Sequence, residues 1–120
     1  MIDHKDIMYG SVIRHVDSGE KTIIGIKTYK EDWMVFTSNS WCLLSNCIPY
    51  NIEGDILLDY GFHKIAENRY GIRSQFVSLE LRIDKIGATI TSPFSKKVYY
   101  FHELQNACHV IMGKDLVYKG

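Results

Sequence analysis

The residues best suited to holding a metal are the three cysteines, Cys42, Cys47 and Cys108, and two of the five histidines, His102 and His109. Structural zinc takes closely paired ligands, as in C-x2–4-C or H-x3–5-H. Cys42 and Cys47 are five positions apart. In a continuous strand an odd separation sends two side chains to opposite faces. His102 and His109 share a helix face but stand about 10 Å apart along the axis. Cys108 falls on the apolar side of that helix. The pattern predicts core cysteines and solvent-facing histidines, with no metal and no other cofactor.

Other catalytic arrangements find little support. No G-x-S-x-G frame surrounds a serine. Glu31-Asp32 falls in a turn, and Asp55 and Asp59 are spaced i,i+4 on one water-facing side of a short helix, so neither pair reads as an acid and base. The nine glycines are dispersed and form no phosphate-binding loop. The expectation is a chain that is not an enzyme. Two clusters combine cations with aromatic rings, a combination that can stack on nucleotides or meet a partner. One is Lys27, Tyr29, Lys30 and Trp33; the other is Lys96, Lys97, Tyr99 and Tyr100. Aromatic residues also pack well on sheets, and that structural role is the competing explanation.

The elements that must position these residues are mostly strands. Val12–Val16, the turn Asp17-Ser18-Gly19-Glu20 and Lys21–Tyr29 predict a hairpin. Trp33–Thr37 and Trp41–Ile48, joined through Ser38-Asn39-Ser40, predict a second pair. Such a meander closes naturally into a partly open, SH3-like barrel. Pro49 ends it. Ile52, Ile56, Leu57 and Tyr60 recur at helical spacing, with Asn51 as cap and Gly61 as terminator, so a short helix follows. Arg69–Arg73 predicts a strand, as does Phe76–Ile83, where Val77, Leu79, Leu81 and Ile83 alternate with polar residues. Ala88–Thr91 pairs back, and Val98–Tyr100 is a last strand or an extended lead-in. His102–Met112 is the clearest helix. Leu104, Ala107, Cys108 and Ile111 form its apolar face, and His102, Gln105, Asn106 and His109 lie opposite, facing solvent; Gly113 ends it. Leu116–Tyr118 adds a tail strand or packs beneath the helix end. In all, about seven strands and two helices are expected. The predicted architecture is α+β: an N-terminal antiparallel meander over 1–49, then a short helix, further antiparallel strands and a C-terminal amphipathic helix on the sheet over 50–120. The whole makes a single domain.

Composition narrows the function classes. The 120 residues suit one domain with its own core. Fourteen Lys and Arg balance fourteen Asp and Glu, which argues against a dedicated binder of duplex nucleic acid. Apolar residues make up 46%, yet no run approaches a membrane span. Met1–Met8 carries Asp3, His4, Lys5 and Asp6 and lacks the apolar region of a signal peptide. An odd cysteine number without such a signal points to reduced thiols in a cytosol.

The C-terminal stretch Val98-Tyr99-Tyr100-Phe101-His102-Glu103-Leu104-Gln105-Asn106, followed by Gly113-Lys114-Asp115-Leu116, resembles the end of a family of small proteins from Bacteroides-type gut bacteria, their phages and mobile elements. Ile48-Pro49, Leu57-Leu58 and Gly61-Phe62 look like that family's middle. The chain departs from the family at Ala107-Cys108-His109, where bulky aromatics are usual, and at Glu53-Gly54-Asp55-Ile56, where Thr-Glu-Glu-Trp is usual. The resemblance implies a phage or mobile-element context and a cytoplasmic setting, and it supplies no catalytic residue. The leading expectation is a non-catalytic binding protein that engages a protein partner, self or host, and inhibits a host or defence protein. The alternatives are a sponge for a nucleotide signal and a virion or accessory structural component. The contact residues expected for such roles are Lys27, Tyr29, Lys30, Trp33, Lys97, Tyr99, His102, Gln105, Asn106 and His109.

Overall fold

Short β-branched runs broken by turn residues favour strands that pair locally, and the computed structural model follows this from Val12 onward. It describes residues 2, 5, 7, 11–15, 19–23, 25–29, 32–37 and 41–119; for 15, 19–21, 25–29 and 32 it describes the backbone alone. β1 (Val12–His15) pairs antiparallel with β2 (Gly19–Thr22), Val12 opposite Thr22 and His15 opposite Gly19. The expected hairpin is present, but Lys21–Tyr29 is not one strand. Its ladder ends at Ile23, which donates its N–H to Ser11 O at 2.8 Å and is fully buried. The chain then turns a corner into β3 (Gly25–Tyr29), which pairs with β4 (Asp32–Phe36) and not with β1.

Trp41–Ile48 divides in the same way. β5 (Trp41–Leu43) pairs with β4, a 3-10 turn spans Leu44–Asn46, and β6 (Cys47–Pro49) returns to pair with β1. The result is two three-stranded sheets, β2-β1-β6 and β3-β4-β5, in place of one continuous meander.

The second half is built on one antiparallel sheet in the order β11-β10-β9-β8-β7. Its strands are β7 (His63–Ala66), β8 (Arg69–Arg73), β9 (Ser78–Ile83), β10 (Ala88–Ser92) and β11 (Lys96–Val98). β8, β9 and β10 follow the sequence pattern. β7 does not announce itself, because His63-Lys64-Ile65-Ala66 is exposed throughout and shows no alternation. Eleven strands stand among the described residues where about seven were expected; the two corners and β7 account for most of the difference.

The short helix α1 covers Gly54–Asp59. Asn51 does not cap it but bridges to Tyr100, and Glu53 precedes the first turn. Gly54, an unfavourable helix residue, packs against Tyr70: a Cβ would meet its hydroxyl and force that side chain to shift. The helix α2 (Phe101–Met112) ends at Gly113 with φ of 70°. Beyond it Leu116 is buried, and Lys119 donates its N–H to Asp59 O at 2.6 Å, so the tail docks on α1 and forms no strand.

Alternation along β1 gives the molecule two cores. Val12 points into one made by Leu57, Leu79, Leu81, Ile90, Phe101, Leu104 and Cys108. Ile13 points into the other, with Ile23, Val35, Leu44 and Cys47. Burying each such aliphatic side chain contributes about 1.5–3 kcal/mol.

Candidate functional site

On α2 the helical phase places Leu104, Ala107 and Cys108 in the core, as expected, and leaves Ile111 half-buried. The opposite side departs from the expectation of a solvent-facing surface. His102 is only 3% exposed and Gln105 5%. The helix is wedged between the five-stranded sheet and β1, so its polar side meets the N-terminal half. Val12 donates its N–H to Gln105 Oε1 at 2.8 Å, although the two are 93 positions apart. An N-H at the start of a strand needs such an acceptor once it leaves water. His102 stacks on Tyr100, with rings 6.3 Å apart and nearly parallel at 5°. Asn106 is half-buried. His109 alone of the four is exposed, with Nδ1 at 2.7 Å from Asp115 Oδ1.

The two cation–aromatic clusters belong to different sheets. Lys27 and Tyr29 lie in β3, where only backbone is described, and Lys30 lies outside the described residues. Trp33, in β4, is half-buried against the N-terminal core.

The second cluster is split by the pleat of β11. Lys97 is opposite Thr89; its ammonium donates to Asp84 Oδ2 at 2.8 Å and lies 5.5 Å from the centre of the Tyr99 ring. Asp84 also accepts from Thr89 Oγ1 at 2.6 Å and Arg82 Nε at 2.9 Å. These bonds, with Lys97 foremost, then Thr89 and Arg82, hold its carboxyl well below the usual carboxylate range. Tyr100 sits at the N-terminus of α2. Glu103 reaches back there and accepts from the N–H groups of Tyr99 and Tyr100 at 2.9 and 3.0 Å, satisfying donors that the helix leaves free.

Lys96 is opposite Ile90 and so lies on the helix side of the sheet with Val98. There a groove of about 410 Å³ runs between β11 and α2. Phe94, Val98, Ala107, Val110 and Ile111 give it apolar lining, and Lys96, Lys97, Glu103 and Asn106 add polar groups. Phe94 is 51% exposed and Val110 80%. Phe94, Val110 and the groove itself were not singled out from sequence. The available signal was Val110, an apolar residue lying off the buried arc of α2, together with a phenylalanine in the turn after Pro93.

Cys42 and Cys47 are brought together, contrary to the opposite-face expectation. The 3-10 turn interrupts the strand between them, and their sulfurs stand 3.9 Å apart. Among the described residues no three His, Cys, Asp or Glu side chains assemble as a ligand set. Nor is any described helix long and apolar enough to cross a membrane.

The chain matches no family model, no curated protein and no solved structure.

Proposed function

We propose that the chain is a non-catalytic binding protein whose contact surface is the groove between β11 and α2. The observation that carries this reading is that exposed Phe94 and Val110 line one groove with Val98, Ala107 and Ile111. Large apolar side chains held in water beside a concavity mark sites of protein contact. Lys96 in the lining suits an acidic residue flanking an apolar side chain of the partner. Lys97 is engaged by Asp84, which favours a protein partner over a nucleotide signal for this part of the molecule. The C-terminal stretch resembles small proteins of phages and mobile elements, and in keeping with that resemblance the partner proposed is a host cytoplasmic protein, such as a defence protein, that binding would inhibit.

The test is affinity capture from bacterial host lysate with the full chain and two variants. Val110→Asp should abolish capture of a specific partner. Phe76→Ser, at an 88% exposed position outside the groove, should retain it. Recovery of no specific partner, or equal capture by Val110→Asp, would overturn the reading.

A further inference from the structure

We propose that Cys42 and Cys47 form a redox modification site, a dithiol that hydrogen peroxide converts to an intrachain disulfide. The argument begins with placement. Cys42 lies in the middle of β5 and Cys47 opens β6, and the 3-10 turn Leu44–Asn46 folds the chain so that the sulfurs are 3.9 Å apart. A disulfide bond is about 2 Å long. Rotation about one Cα–Cβ bond moves a thiol sulfur by up to roughly 3 Å, so the gap closes without moving the strands. The Cys42 thiol lies 3.8 Å from Val35 O and the Cys47 thiol 3.5 Å from Leu43 O.

Exposure sets the order of events. Cys42 is half-buried and meets the oxidant first, whereas Cys47 is 2% exposed. The Cys42 thiolate attacks one peroxide oxygen. An S–O bond forms, the O–O bond breaks, and the departing hydroxide leaves as water after taking up a proton. Sulfur is oxidised to the sulfenic acid and the peroxide is reduced. The Cys47 sulfur then attacks the Cys42 sulfur. The S–S bond forms, the S–O bond breaks, and the departing hydroxide takes up the Cys47 thiol proton and leaves as a second water. Two thiols and one peroxide thus give one disulfide and two waters, and a dithiol reductant reverses the change.

Cys108 is an internal control. It is fully buried in the other core, and burial pushes its thiol up to about 12, so it stays protonated. The cross-link would pin the corner between the two N-terminal sheets and leave the groove between β11 and α2 unchanged. The two readings can therefore fail separately.

The experiment treats the native full chain with hydrogen peroxide, then unfolds and alkylates it for intact-mass and peptide analysis. The expected product is about 2 Da lighter, takes one alkyl group at Cys108, yields a Cys42–Cys47 linked peptide and melts at a higher temperature until reduced. Cys42→Ser and Cys47→Ser should each prevent the mass loss, and Cys108→Ala should retain it. Three alkylatable thiols after treatment, a disulfide that includes Cys108, or a link between two chains would overturn the proposal.

Discussion

Gln105 holds β1 against α2 through a single acceptor oxygen, while four residues on His109 merely tethers Asp115 in water. The two side chains are comparably polar and lie on the same side of the helix, so comparing them isolates the effect of burial. Gln105→Ala strands the buried Val12 N–H and should cost about 1–3 kcal/mol. His109→Ala should cost about 0.5 kcal/mol or less. Urea denaturation of both variants checks this, and equal losses would mean that Gln105 is not the acceptor that matters. The inner face of α2 was legible because Leu104, Ala107 and Cys108 recur at helical spacing. The burial of His102 and Gln105 was not. Periodicity assigns polar residues to water, and the strand that meets Gln105 carries no sign of the helix in its sequence.

At the scale of elements, the turn between β9 and β10 is fixed by Asp84, which ties Arg82, Thr89 and Lys97 together from three strands. Gly87 completes it with φ of 75°, and a Cβ there would meet the Val98 carbonyl oxygen. Because the folded state depresses the Asp84 carboxyl, the unfolded chain takes up this proton first as pH falls. Its contribution is whole above about pH 4, the unfolded value, and is lost below it as pH falls toward the folded value. Asp84→Asn should lower stability at neutral pH by about 1 kcal/mol and flatten the acid limb of the stability profile. Urea midpoints measured across pH test this, and an acid limb parallel to that of the wild type would count against it. β8, β9 and β10 could be read from turn residues and alternation. The breaks inside Lys21–Tyr29 and Trp41–Ile48 could not, because apolar and β-branched residues run through both corners without interruption. That is why odd spacing misled for Cys42 and Cys47: the parity rule holds only within an unbroken strand.

For the whole molecule, Val12 and Ile13 make β1 a shared wall of both cores. Neither half can lose that strand without opening the other. Thermal unfolding should therefore be one transition, with near-UV and far-UV signals coincident and calorimetric and van't Hoff enthalpies equal. Two resolved transitions would show that the halves are independent. The shared wall also has a consequence for synthesis. The N–H of Val12 must wait for an oxygen made 93 residues later. At bacterial elongation rates of roughly 5–20 residues per second, that delay is on the order of 5–20 s. Throughout it the N-terminal strands are on the nascent chain without the helix that packs against β1. Ribosome-bound intermediates of this protein should consequently be the species that chaperones hold and proteases cut, and the docking of α2 on β1 should end that vulnerability.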